Sequence, residues 1–234
     1  MQRLLVLLLT SIIAGSGLAA CGGSDKSKSA ASTPASTPPV PPTPSTAACQ
    51  KARAPGPRPV RKLPKPTLEL DAGKSYRAVV DTNCGFFSIA LDVKRSPKTA
   101  ASFVSLARRR FYDGLAFHRI VSGFVIQGGD PKGDGSGGPG YKTVEPPPSD
   151  LRYIRGVVAM AKGQIEDPGT AGSQFFVVSG EDGQLPPEYA LLGTVSNGLD
   201  IVQRIGTVPV QPNTEMPIDP VVIRSIRIVE TKSK

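Results

Sequence analysis

Apolar residues are spread unevenly along the chain, and changes in their spacing divide it into three parts. Residues 1–20 carry an unbroken apolar run, Leu4-Leu5-Val6-Leu7-Leu8-Leu9, behind Met1-Gln2-Arg3, and apolar character persists to about Ile13. It is shorter than the ~20 residues a helix needs to cross a bilayer. With a basic residue ahead of it and small residues behind, it reads as an export signal. Residues 21–66 hold few apolar side chains, as in Ser32-Thr33-Pro34-Ala35-Ser36-Thr37-Pro38-Pro39. Such a stretch cannot bury enough surface to offset its ordering entropy, and its prolines favour an extended, semi-rigid spacer at ~3.1 Å per residue. Residues 67–234 are the folded part, about one domain's worth of chain.

Within that part the period switches repeatedly. Residues 76–81 and 86–91 alternate around Thr82-Asn83-Cys84-Gly85, the pattern of a β-hairpin. Ser96-Pro97-Lys98-Thr99 supplies an N-cap with proline at the first helical position. Ala100, Phe103, Val104 and Leu106 follow at helical spacing, so an amphipathic helix is predicted there. Short apolar segments bounded by Gly, Pro or Asp recur at 117–120, 124–127, 157–161, 175–178 and 191–195. A second short helix over 199–205 and a closing strand over 221–229 complete the pattern. Many short strands with two helices predict a mainly β fold, a closed or nearly closed barrel with helical caps.

Charge and cysteine usage refine this picture. The segment Leu18-Ala19-Ala20-Cys21-Gly22-Gly23-Ser24 resembles the bacterial lipobox, which implies cleavage before Cys21 and lipid on its sulfur. Ordinary secretory cleavage after Ala20 is the alternative, and both export the chain. Two or three acyl chains hold a protein on a membrane stably where one does so only marginally. The expected location is therefore the extracytoplasmic face, anchored by lipid. Of the three cysteines, Cys49 and Cys84 remain. An even pair in an oxidising compartment points to a disulfide between tail and first hairpin, the alternative being two free thiols. The net charge of +9 comes from scattered residues such as Arg53, Arg58, Arg61, Lys62 and Lys65, without interleaved aromatics. That argues against nucleic acid as a partner and for attraction to an acidic envelope surface.

Candidate chemistry gathers in three segments where polar and glycine residues sit beside aromatics: Phe117-His118-Arg119-Ile120, Phe124-Val125-Ile126-Gln127-Gly128-Gly129-Asp130, and Gly172-Ser173-Gln174-Phe175-Phe176. In these, and in Ser96-Pro97-Lys98-Thr99-Ala100, Phe111-Tyr112-Asp113-Gly114 and Val158-Ala159-Met160-Ala161, the chain resembles the cyclophilin family of prolyl isomerases. The resemblance implies a closed eight-stranded antiparallel β-barrel capped by two α-helices. It also implies that Arg119 is the catalytic arginine, that Phe124 and Phe176 wall a proline pocket, and that Gln127 binds substrate and positions the arginine. His118, Val125, Ala161, Lys162, Gln174, Leu185 and Tyr189 fall at other substrate-lining positions. The expected substrates are proline-containing polypeptides, the expected state is a monomer, and no metal or cofactor is required. The sequence departs from the family where Gln184 stands for Trp, Val125 for Met, Lys162 for Asn and Leu192 for Phe. The chain has no Trp at all, which implies weak binding of cyclosporin.

Rival chemistries fit less well. The single histidine, His118, lacks the strand-turn-helix nucleophile that a serine hydrolase through Ser173 or Ser179 would need. One His and two paired Cys leave too few ligands for zinc. The glycine-rich run from Gly128 to Gly140 has no following Gly-Lys-Ser/Thr, and places Lys132 and Tyr141 where a calcium loop needs acidic ligands. A non-catalytic module that grips proline segments, or a degenerate structural barrel in the envelope, are the remaining alternatives.

Overall fold

In the computed structural model, the described residues are 48–59 and 62–232. The export signal, Cys21 and the tether up to residue 47 lie outside them. Ten strands and two helices follow in the order β1 (Lys74–Thr82), β2 (Gly85–Leu91), α1 (Pro97–Arg108), β3 (Leu115–Val121), β4 (Val125–Gly128), β5 (Thr143–Val144), β6 (Val157–Met160), β7 (Thr170–Ala171), β8 (Phe175–Val178), β9 (Leu191–Asn197), α2 (Leu199–Ile205) and β10 (Val222–Lys232). Eight of the strands close into an antiparallel barrel in the order β1-β10-β3-β4-β8-β6-β9-β2, and β5 and β7 form a separate two-stranded ribbon that the apolar pattern does not predict. Each ribbon strand is two residues long, too short to show a period.

Side-chain alternation fills the barrel. Val80, Phe87, Ile89, Phe117, Ile120, Ile126, Val158, Phe175 and Val177 point inward and are fully buried. Phe103 of α1 closes against Tyr112 and Phe175, with ring centroids 4.9 and 5.6 Å away, while α2 lies against β2. Ser96 occupies the N-cap position of α1 with Pro97 after it, but its side chain makes no capping bond. Glu145 does this instead: its two carboxylate oxygens accept the N–H groups of Lys98 and Thr99 at 3.0 and 2.7 Å. A carboxylate at a helix N-terminus satisfies orphan donors and complements the dipole. The ribbon strand β5 places it there.

Contact with the barrel begins well before residue 67. Cys49 is joined to Cys84 by a disulfide across 35 residues. The Gln50 N–H donates to the Asn83 carbonyl, that of Arg58 to Pro131, and that of Leu63 to Pro139, each at 2.8 Å. Cys49, Leu63, Leu68 and Leu70 pack on the core. The buried side chain of Asn83 donates to the carbonyls of Gln50 and Pro220 and accepts from the Val222 N–H. One turn residue thus ties the strap, the first hairpin and the closing strand together.

The disulfide fixes the strap to the domain by shortening the unfolded chain, worth about 3–4 kcal/mol for a loop of this length on the chain-entropy scale. Cys49→Ser in the full-length chain is expected to lower unfolding stability by up to that amount. It should also open the bonds after Arg53 and Lys62 to trypsin while the barrel fragment survives, as read by mass spectrometry.

Candidate active site

The barrel's alternation sorts the same strands onto a second, outer cluster. Val125 of β4, Phe176 and Val178 of β8, Val157 and Ala159 of β6, and Leu191 of β9 face outward and pack with Tyr153, with Phe124, Ala161, Leu185 and Tyr189 around them. Each strand therefore carries two apolar faces, one for the interior and one for this groove.

Register then sets a row across the wall. Arg119 pairs with Gln127, Gln127 with Phe176, and Phe176 with Ala159. Residues directly opposite on antiparallel strands share a face, so the guanidinium, the amide and the ring lie side by side. Simple alternation would send Arg119 inward with Phe117. A bulge prevents it: Phe117 pairs with Gly128 and Arg119 with Gln127, so β3 carries one extra residue, His118. Phe117 and Ile120 consequently both stay inside, fully buried, while Arg119 is turned out.

Polar bonds extend the row. The Arg119 Nη1 group lies 3.5 Å from Gln127 Oε1, Gln127 Nε2 donates to Gln174 Oε1 at 3.0 Å, and Gln174 Nε2 donates to the carbonyls of Gly135 and Gly137 at 2.8 and 2.9 Å. The glycine-rich loop is thereby joined to the arginine through two amides. At its start Gly129 has φ +85, and a Cβ there would sit 2.5 Å from the Ser173 carbonyl oxygen. The loop needs glycine at that point.

The aromatic wall is braced by a residue the sequence pattern does not single out. Tyr153 packs on Phe176 and edge-on to Tyr189, whose ring also meets Phe176 edge-on at 5.4 Å. The Tyr153 hydroxyl donates to the Tyr189 carbonyl and accepts the Tyr189 N–H. Burial pushes its phenol up to about 12, so it stays a neutral donor. Lys162 has a nearly buried side chain, bonded to the Glu166 carbonyl at 3.1 Å and to Glu188 at 3.2 Å and 5.7 Å from the Tyr189 ring centroid. It ties the loop after β6 to the loop before β9. Gln184 is exposed at the rim with φ +49.

His118 is placed apart from this row. It lines a cavity of about 280 Å³ with Ala54 and Pro55 of the strap, Asp130, Met216 and Val221. Its two ring nitrogens are buried without a protein partner. Burial lowers its pKa, with Asp130 opposing and Arg119 reinforcing the shift. A neutral imidazole away from the pocket is no candidate for an acid or base there. Among the described residues, no group of three or more His, Cys, Asp or Glu could hold a metal ion.

A second residue missed by sequence reasoning is Glu215, whose Oε2 accepts the Arg119 Nε–H at 2.5 Å from 96 positions away. No local signal marks it, because the contact depends on how the segment before β10 is folded.

Comparison with known proteins agrees with this architecture. The family model for cyclophilin type peptidyl-prolyl cis-trans isomerases matches residues 77–228. Peptidyl-prolyl cis-trans isomerase B of Streptomyces anulatus is 39% identical over 173 residues, covering 66% of this chain and 97% of that protein. Peptidyl-prolyl cis-trans isomerase A of Mycobacterium tuberculosis is 39% identical over 169 residues, covering 64% and 91%. The crystal structure of a Cryptosporidium parvum cyclophilin in the presence of the dipeptide Ala-Pro superposes with a TM-score of 0.61 at 32% identity, covering 65% of this chain and 98% of that one. The chain belongs to the cyclophilin family and is a peptidyl-prolyl cis-trans isomerase acting on proline-containing peptides.

Proposed function

We propose that the chain is an exported foldase, anchored by lipid at Cys21 to the extracytoplasmic face of the membrane, and that its catalysis runs through Arg119. The observation that carries the catalytic part is the in-register row of Arg119, Gln127 and Phe176. Rotation about a peptide bond costs ~18–20 kcal/mol because the nitrogen lone pair is delocalised into the carbonyl. A donor at the prolyl nitrogen localises that pair and lowers the barrier. The planar, permanently charged guanidinium suits this task and can hold the neighbouring carbonyl at the same time.

Phe124 and Phe176 grip the pyrrolidine ring, and Gln127 keeps the guanidinium plane. Ala161 donates its own N–H to the Gln174 carbonyl, so its contact to the residue before proline falls to its carbonyl oxygen. One end of the substrate is held while the other turns. No proton is transferred and no covalent bond forms.

Export is supported by the N-terminal apolar run and by the Cys49–Cys84 disulfide, a bond that persists in oxidising compartments. Exported chains contain X-Pro bonds that isomerise in tens to hundreds of seconds unaided, which gives a surface foldase its substrate. The protein acts as a monomer.

A charge-assisted hydrogen bond of about 1.5–3 kcal/mol made only in the twisted state predicts that Arg119→Ala lowers kcat/KM by about ten- to more than a hundredfold. Cis/trans exchange of a short X-Pro peptide measured by NMR on the full-length chain checks this, and wild-type rates would remove Arg119 from the mechanism. For the anchor, the expected result is incorporation of labelled palmitate and recovery in the membrane fraction. Both should be lost in Cys21→Ala; a variant that still takes up label refutes the assignment. Cyclosporin should inhibit only weakly, because exposed Gln184 cannot supply the flat apolar surface of an indole at the rim. Tight stoichiometric inhibition in the same exchange experiment would contradict that.

A further inference from the structure

Glu215 lies in the segment between α2 and β10 and has a left-handed backbone, with φ +57. Non-glycine residues adopt that conformation uncommonly, and a glycine there would be less strained. What the glutamate adds is a carboxylate that reaches β3 beside the carbonyl any residue would supply. Its backbone carbonyl accepts the Ile120 N–H at 2.8 Å, and its carboxylate accepts the Arg119 Nε–H at 2.5 Å. Two consecutive residues of β3 are thus held by one residue of a distant segment.

The point of attachment is informative. Glu215 takes the Nε edge of the guanidinium, while Nη1 lies on the Gln127 side at 3.5 Å from its amide oxygen. A carboxylate competing with substrate would chelate the terminal nitrogens. This one grips the stem side and leaves them. An arginine side chain is long and samples many rotamers, so an unheld Arg119 would spend part of its time turned away from the row.

We infer that Glu215 is a positioning residue of the isomerase, holding the Arg119 guanidinium by its Nε edge against Gln127 so that its terminal nitrogens are ready for the prolyl nitrogen. This rests on Arg119 being the catalytic group. Both side chains of the pair are partly exposed, at 36% and 44%, so water and salt screen it and the effect is modest.

The test is NMR exchange kinetics on an uncharged X-Pro peptide with the full-length chain and its Glu215→Gly, Glu215→Gln, Arg119→Ala and Arg119→Ala/Glu215→Gly variants. Glycine suits the left-handed backbone, so Glu215→Gly should keep the wild-type melting temperature while kcat falls about two- to fivefold and KM stays near its original value. Glu215→Gln, which keeps the reach and an acceptor oxygen, should recover part of the loss. In the Arg119→Ala background the glycine substitution should change nothing. An unchanged or raised kcat in Glu215→Gly, or an equal loss with and without Arg119, overturns the inference. Wild-type activity in Arg119→Ala alone is a distinct outcome, removing the Arg119 reading and this inference with it.

Discussion

Closing eight strands into a barrel commits every strand to two faces, and in this protein both faces of the same four strands are apolar. β4, β8, β6 and β9 give one set of side chains to the interior and the alternate set to the groove. The pocket is therefore a direct product of the fold: Val177 and Val158 cannot be inside unless Phe176 and Ala159 are outside. A one-residue slip in any of these strands would exchange core and site. This couples stability and function more tightly than in enzymes whose catalytic groups stand on loops.

One extra residue in β3 sets the exception. Without the bulge, Phe117 and Arg119 would share a face, and either a charge would enter the barrel or a phenylalanine would leave it. Burying an unpaired guanidinium is far costlier than interrupting a ladder. The bulge lets Phe117 and Ile120 both remain inside with Arg119 out. The displaced residue, His118, ends up buried over the neighbouring cavity rather than in the pocket.

These points mark what the amino-acid pattern could reveal. Period-two segments at 76–81 and 86–91 and the helical spacing of Ala100, Phe103, Val104 and Leu106 were legible because long, one-sided burial leaves a clear period. The two-residue strands β5 and β7 leave none, so Glu145 as the partner of α1 was hidden and the nearby Ser96 looked like a sufficient cap. In Phe117-His118-Arg119-Ile120 nothing announces a bulge, since bulges depend on the pairing strand. The grouping of Arg119, Gln127 and Phe176 was readable only through family motifs. Beyond the expected Cys49–Cys84 bridge, the stretch before residue 67 reads as tether because its average composition is polar. A few anchors suffice to dock such a strap, here Cys49, Leu63 and the N–H groups of Gln50 and Arg58.

On the mechanism proposed above, the pocket needs no proton donor or acceptor. A reaction that moves no proton gains nothing from a titrating group, and a Tyr153 phenol kept neutral by burial fits that economy. It gains from a charge that never titrates and is held in one orientation. A guanidinium satisfies the first requirement by itself. The second has to come from its surroundings, because the side chain is long and only half shielded. Gln127 fixes it from the sheet at a long 3.5 Å, a weak grip for a neutral amide. Glu215 meets it from the opposite edge with a short, charged contact. The two together define a plane for the guanidinium that neither defines alone. The orientation of the Arg119 guanidinium thus depends on a bulge in one strand, the register of its neighbour and the fold of a segment nearly a hundred residues away.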